Sequence, residues 1–83
     1  MDLYGNAALD LAVNRGYIET VNVLLAHGAD PNLGVRYMNI PLITATIKGY
    51  KDIVCSLLVH GADVNQPNVY NNTALHYASK TIY

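Results

Sequence analysis

Two histidine–aspartate pairs are the residues of this sequence whose types and spacing could support chemistry. His27 and Asp30 enclose a Gly-Ala dipeptide, and His60 and Asp63 enclose the same dipeptide further along the chain. A histidine beside a carboxylate can serve as a general base or as part of a metal site. The third histidine, His76, lies on a different predicted helix, so the three imidazoles have no evident point of convergence. A metal-binding protein or an enzyme is therefore the less favoured interpretation of these pairs.

Each pair also has a structural explanation, which we prefer. A histidine in the last turn of a helix can bind a terminal carbonyl group and complement the helix dipole. The aspartate can accept hydrogen bonds from the backbone amides of the turn that follows. Gly28 and Gly61 are expected to adopt the left-handed conformation that ends a helix, which is readily available to glycine. We therefore expect no catalytic residue and no metal ligand here.

Other reactive groups are scarce. The sequence contains no Gly-rich phosphate loop, no nucleophile elbow and no CxxC pair, so no cofactor is expected. Cys55 lies off the predicted apolar face of its helix and should be partly exposed, with Lys51 as the one candidate for activating its thiol. We expect an inert surface cysteine. One cysteine cannot form an internal disulfide, which favours a reducing compartment.

Composition narrows the class of partner. The 83 residues are 52% apolar and 13% charged, with a formal net charge of −1, so no long-range attraction to nucleic acid or to anionic membranes is expected. No apolar run approaches the roughly 18 residues of a membrane span. The first residues lack the basic start and apolar middle of a secretory signal. We expect an intracellular, cytoplasmic protein; an effector secreted by an intracellular bacterium, or a viral protein, is the alternative.

The elements that must position these residues recur at a fixed interval along the chain. The stretch Val21–Asn32 returns as Val54–Asn65 without a gap, and Leu9–Ala12 returns as Leu42–Ala45 and Leu75–Ala78. A fixed period of this length is typical of repeat arrays, in which each unit stacks on the next. We divide the single domain 1–83 into repeat 1 (about 2–34), repeat 2 (about 35–67) and a partial repeat 3 (about 68–83).

Each unit is predicted to contain two helices. The first helix covers roughly Ala8–Arg15 and then Pro41–Lys48, and the second covers roughly Ile18–His27 and then Lys51–His60. Pro41 falls at the first helical position, where its missing amide hydrogen is no loss. Apolar residues at helical spacing predict one buried stripe on each second helix. The residues expected to pack are Val21, Leu24, Leu25, Val54, Leu57 and Leu58, together with Tyr17 and Tyr50 after the glycine turns.

These motifs resemble the ankyrin repeat, a unit of about 33 residues that consists of a β-turn and two helices. The resemblance is closest in Gly16–Val21, His27–Asn32 and His60–Asn65, and it covers essentially the whole chain. The Thr-Pro-Leu-His start of the first helix is degraded, since only Thr73–His76 keeps both the threonine and the histidine; Asn6 and Asn39 are candidates for capping the other first helices. The resemblance implies an all-α, ankyrin-type α-solenoid of helix-turn-helix units joined by β-hairpin-like loops.

The resemblance also implies a function and a surface. Ankyrin repeats contact partner proteins through their hairpin tips and the exposed side of their first helices. Tyrosine and arginine are over-represented among interface hot spots. The residues that match these positions are Tyr4, Asn6, Arg15, Arg36, Tyr37, Asn39, Lys48, Val69, Tyr70 and Asn72. We expect a non-catalytic protein–protein interaction module. The alternative is that the repeated tyrosines only pack against one another and against their own hairpins.

The ends of the array leave two further alternatives open. A repeat array exposes a stacking face at each terminus unless a polar capping unit covers it. The chain stops at Tyr83 before any third second helix. We therefore expect self-association through uncapped ends, or a marginal fold. A fragment or decayed remnant of a longer ankyrin-repeat protein, without independent function, is the other alternative.

Overall fold

The computed structural model describes residues 3–33, 40–68 and 70–81. Five helices account for its regular structure, and no strand occurs within these ranges. The helices are α1 (Leu3–Arg15), α2 (Ile18–Ala26), α3 (Pro41–Lys48), α4 (Lys51–Val59) and α5 (Ala74–Thr81). The expected all-α class and the solenoid architecture are therefore confirmed.

The helices form two layers. The first helices of the units, α1, α3 and α5, pack side by side in that order, and the second helices, α2 and α4, pack beside each other. Each second helix also packs against the first helix of its own unit. The core lies between the layers, where Leu9, Val13, Val21, Ile43, Ile53 and Leu57 are fully buried. Ala12 and Ala45 are buried in the middle of their helices, where small side chains let neighbouring helices approach closely.

The turn between the two helices of a unit is the same in both complete helix pairs. Gly16 and Gly49 have φ of 76° and 74°, a left-handed conformation that disfavours residues with a Cβ atom. The following amide closes the helix end: Tyr17 N–H donates to Ala12 O at 2.9 Å, and Tyr50 N–H donates to the equivalent carbonyl group at 3.0 Å. The predicted glycine turns are therefore confirmed.

The start of α1 differs from our prediction. The helix begins at Leu3 rather than near Ala8, so Asn6 lies inside it and does not cap it. Asn6 is buried, and its side chain binds the backbone of Asp30 from the following turn. This tertiary contact outweighs the usual preference of asparagine for a capping position. The N-cap of α3 is Ile40, with Pro41 at the first helical position as predicted, while Asn39 lies outside the described residues.

Two packing predictions were also wrong. Leu58, which we expected in the core, is 41% exposed, although its equivalent Leu25 in the first unit is only 4% exposed. α4 packs beside α2, whereas no second helix follows α4 among the residues that the structure describes. Tyr17 is exposed because the equivalent Tyr50 covers the glycine turn of the preceding unit, and the described part of the chain has no unit before Tyr17. Both predictions failed because the burial of these two residues depends on a neighbouring unit.

Candidate functional site

The two histidine–aspartate pairs have the structural roles predicted for them. Nδ1 of His27 lies 2.8 Å from Val23 O, and Nδ1 of His60 lies 2.9 Å from the carbonyl group four residues before it. A carbonyl oxygen can only accept, so Nδ1 is the protonated nitrogen in both rings. Oδ1 of Asp30 and of Asp63 each accepts the amide hydrogen two residues later, at 2.9 Å. Each pair therefore closes a helix end and the turn that follows.

The arrangement offers little for metal or nucleophile chemistry. Within the described ranges, no group of three or more His, Cys, Asp or Glu side chains could hold a metal ion. Cys55 is exposed, as predicted. In the same ranges, no helix is both long and apolar enough to cross a membrane.

Asn32 forms a bridge between consecutive turns that sequence reasoning missed. Its Oδ1 accepts the amide hydrogen of Asp63 at 2.7 Å, and its Nδ2 donates to Gly61 O at 3.1 Å. Its backbone carbonyl accepts a hydrogen bond from Nε2 of Gln66 at 2.7 Å. A signal was present, because an asparagine stands at the same place in both copies, as Asn32 and Asn65. We call the two side-chain hydrogen bonds of Asn32 the asparagine bridge.

Asn6 holds the preceding turn in a similar way. Its Nδ2 donates to Asp30 O at 2.8 Å, and its Oδ1 accepts the amide hydrogen of Asp30 at 3.2 Å. A buried side chain committed to this contact is not available to a partner. The predicted surface position of Asn6 was therefore wrong, and Asn6 belongs to the framework of the stack.

The remaining predicted surface residues fall into four groups. Arg15 and Lys48 are exposed, in the last turns of α1 and α3. Tyr70 is 62% exposed and Asn72 is half-buried, in the loop before α5. Tyr4 lies within α1 instead of a hairpin. Those that lie outside the described residues are Arg36, Tyr37, Asn39 and Val69.

A buried asparagine organises the loop that carries Tyr70. Oδ1 of Asn68 accepts the amide hydrogens of Tyr70 and Asn72 at 2.9 and 3.0 Å. Its Nδ2 donates to the hydroxyl oxygen of Tyr77 at 2.9 Å, which fastens the loop to α5. Asn71, which lies between Tyr70 and Asn72, has a positive φ of 63°. Asn68 therefore ties the backbone of Tyr70 and Asn72 to α5, and nothing in the repeat pattern pointed to it.

The exposed candidates do not form one cluster. Tyr70 and Asn72 precede the N-terminus of α5, whereas Arg15 and Lys48 lie in the C-terminal turns of α1 and α3. An eight-residue helix rises by about 12 Å at 1.5 Å per residue. The candidates therefore come from both ends of first helices and not from one end alone.

A second surface feature is an apolar groove of about 800 Å³ beside α4 and α5. Residues from α3, α4, α5 and the turn after α4 line it, and we call it the open groove. Its apolar lining includes Leu42, Val54, Leu58, Val64, Leu75 and Ala78. Sequence reasoning placed one of these lining residues, Leu58, in the core.

Stacked helix pairs with matching turns define a class of protein, the repeat solenoid, whose function depends on its surface residues. A family model described as ankyrin repeats, in three copies, matches residues 9–82. The chain belongs to the ankyrin-repeat family, and the resemblance noted in the sequence is confirmed. Ankyrin repeats are a general protein–protein interaction module.

Similarity to a curated relative covers one part of the chain. The chain is 50% identical over 42 residues to the human transient receptor potential cation channel subfamily A member 1. Those residues are 51% of this chain but only 4% of the relative. The match therefore concerns a small segment of that much longer protein.

Proposed function

We propose that this chain is a non-catalytic protein-binding module, and that it contacts its partner through the exposed side of the first helices and the loop at Tyr70. The observation that carries the proposal is the repeated basic position on neighbouring helices. Arg15 and Lys48 occupy equivalent positions of consecutive units, both exposed, in the last turns of α1 and α3. These two helices pack side by side, so the two charges belong to one layer.

The chemistry of this layer suggests the chemistry of the partner. Ile47 is exposed next to Lys48, so an apolar side chain accompanies the positive charges. Interfaces combine apolar contacts with a polar rim, and charged rim residues steer association. A partner surface with acidic side chains around an apolar patch is complementary to this layer. Tyr70 is exposed, and its backbone amide donates to Asn68; it adds an aromatic group of the kind enriched among hot spots.

We include the remaining sequence candidates in the same proposed surface on the basis of the repeat pattern alone. Tyr37 stands one repeat before Tyr70, and Arg36 and Asn39 lie close to it in the sequence. Val69 and Asn72 lie close to Tyr70 in the same way, and Tyr4 begins the series. We also propose an intracellular, cytoplasmic location, which the single cysteine supports because a reducing compartment needs no disulfide.

Charge reversal on the first helices tests the proposal. A partner is first isolated by affinity capture with the unmodified chain, and its Kd is measured by isothermal titration calorimetry. The double variant Arg15→Glu/Lys48→Glu should weaken binding by about tenfold or more, as expected for interface charges of reversed sign. Lys51→Glu is the matched control, because it makes the same change at an exposed lysine of a second helix. Circular dichroism checks that all variants fold.

Two outcomes would count against this surface. A partner that binds the double variant as tightly as the unmodified chain does not use the first helices. A partner that loses binding only with Lys51→Glu uses the second-helix side instead, since Lys51 lines the open groove.

A further inference from the structure

Asn68 uses each kind of polar group that it has within one short loop. Its amide hydrogen is donated to Asn72 O at 2.8 Å, and its carbonyl oxygen accepts the amide hydrogen of Asn71 at 3.0 Å. Its Oδ1 accepts the amide hydrogens of Tyr70 and Asn72, and its Nδ2 donates to the hydroxyl oxygen of Tyr77. Asn68 is buried, and a buried polar group that loses its partner is costly. The backbone around Tyr70 therefore depends on this one side chain.

Tyr77 gives the loop a fixed point of attachment. It lies in α5 and packs against the hydrophobic core, and its ring meets the ring of His76 edge to face, with 5.3 Å between the ring centroids. The hydrogen bond of 2.9 Å between Nδ2 of Asn68 and the Tyr77 hydroxyl oxygen joins the loop to this packed ring. Because Asn68 also binds the backbone of Tyr70, it links the position of Tyr70 to α5.

The combination of Asn68 with Tyr77 is particular to the third unit. The earlier units carry other residues at these two positions, namely Asp2 and Val35 in place of Asn68, and Leu11 and Thr44 in place of Tyr77. A valine side chain cannot form these hydrogen bonds, and a leucine offers no hydroxyl group. The repeat pattern therefore does not require this contact. It accompanies an exposed tyrosine, which points to a role at the surface.

We propose that Asn68 and Tyr77 are positioning residues of the protein-binding surface, which hold Tyr70 in the geometry in which it contacts a partner. This inference rests on the proposed function, in which Tyr70 is a contact residue. A contact residue that is held in place before binding loses less conformational freedom when the complex forms. If only a fraction of the chains holds the binding geometry, the apparent Kd rises in inverse proportion to that fraction. The Tyr77 hydroxyl thus controls affinity through Tyr70.

Tyr77→Phe tests the positioning in the free chain, because it removes only the hydroxyl group. Amide hydrogen exchange is followed by NMR in the unmodified chain and in the variant. The amides of Tyr70 and Asn72 should exchange about threefold to tenfold faster, the factor that corresponds to the loss of one hydrogen bond. The amide of Leu57, in the core helix α4, reports opening of the whole fold and should keep its rate. Tyr50→Phe is the matched control, since it removes a hydroxyl group from another partly buried tyrosine and should leave all three rates unchanged.

A double-mutant cycle tests the effect on binding. The probe is the partner captured for the charge-reversal test, and its Kd is measured by calorimetry. In the unmodified chain, Tyr77→Phe should raise the Kd by about threefold to tenfold. In a Tyr70→Ala chain, the same change should leave the Kd within about twofold, because no tyrosine remains to be positioned. Asn68→Asp should keep the original Kd, since a carboxylate can accept both backbone amide hydrogens and the hydroxyl hydrogen of Tyr77.

The outcomes separate this inference from the proposed function. Unchanged exchange at Tyr70 and Asn72 in the Tyr77→Phe chain would overturn the inference and leave the proposed function standing. An equal rise of the Kd from Tyr77→Phe in both backgrounds would also overturn it, because Tyr77 would then act independently of Tyr70. A Kd that Tyr70→Ala does not alter would remove Tyr70 from the contact surface and overturn the inference with it. The Arg15→Glu/Lys48→Glu variant then decides separately whether the first helices bind the partner.

Discussion

Replacing Asn32 by alanine tests whether the asparagine bridge stabilises the stack. The side chain joins two turns through hydrogen bonds of 2.7 Å to the amide of Asp63 and 3.1 Å to the carbonyl oxygen of Gly61. A protein hydrogen bond contributes about 0.5–1.5 kcal/mol net, so the pair contributes about 1–3 kcal/mol. Both partner residues are exposed, so water can replace part of the loss. We expect the free energy of unfolding to fall by about 1–2 kcal/mol.

Urea denaturation followed by circular dichroism measures this change. At about 0.05–0.15 kcal/mol per residue, a chain of this length has a total stability of about 4–12 kcal/mol. With a slope near 1 kcal/mol per M of urea, the midpoint should fall by about 1–2 M, which is easily resolved. The slope itself should stay constant, because the variant removes no apolar core.

Asn65→Ala is the matched control for this prediction. The residue type and the place in the unit are the same, but the Asn65 side chain is exposed beside the open groove. We expect a change within about 0.5 kcal/mol. Equal losses at the two positions would refute the reasoning, because they would mean that the asparagine matters for its own turn. No loss at Asn32 would show that water replaces the bridge fully.

Three further predictions follow the same logic of paired positions. Gly16→Ala should lower the free energy of unfolding by about 1 kcal/mol more than Gly49→Ala in urea denaturation. A Cβ atom at Gly16 would lie 3.1 Å from the ring of Tyr50, while one at Gly49 meets nothing within 4 Å. Equal losses would mean that the strain of the left-handed backbone alone decides the cost. Leu57→Ala should lower the free energy of unfolding by about 2–5 kcal/mol, and Leu58→Ala by under about 1 kcal/mol, since Leu57 is fully buried and Leu58 is not. A larger loss at Leu58 than at Leu57 would contradict the helix register. Tyr70→Ala should weaken partner binding by about 1–2 kcal/mol in calorimetry and leave the melting curve nearly unchanged; unaltered affinity would remove Tyr70 from the proposed surface.

The features that the sequence predicted correctly are those that local chemistry decides. A left-handed Gly49 follows from a tight turn between helices, and Pro41 at the first helical position follows from its missing amide hydrogen. The hydrogen bond of His60 to the carbonyl group four residues earlier stays within one helical turn. Such features involve only nearby residues, so the sequence of one unit is enough to predict them. The second unit repeats the same residues, which supports the prediction of the glycine turns and of the histidine contacts.

The features that were missed depend on other units of the stack. Asn6 is buried because its amide meets the backbone of Asp30, 24 residues away, which no local pattern specifies. Leu58 matches Leu25 in sequence and differs from it in exposure, because a second helix follows α2 in the stack, whereas none follows α4 among the described residues. A repeated sequence therefore predicts the structure of a unit better than the burial of its faces. The candidate surface was only partly predictable for the same reason.

The proposed first-helix surface should also show itself in the salt dependence of binding. Contacts at Arg15 and Lys48 involve exposed charges, whose attraction to an acidic partner falls with added salt and acts largely on the association rate. We therefore expect the association rate to fall as salt is added, while the dissociation rate changes little. An association rate that does not depend on salt would count against these charges as contacts before any residue is changed.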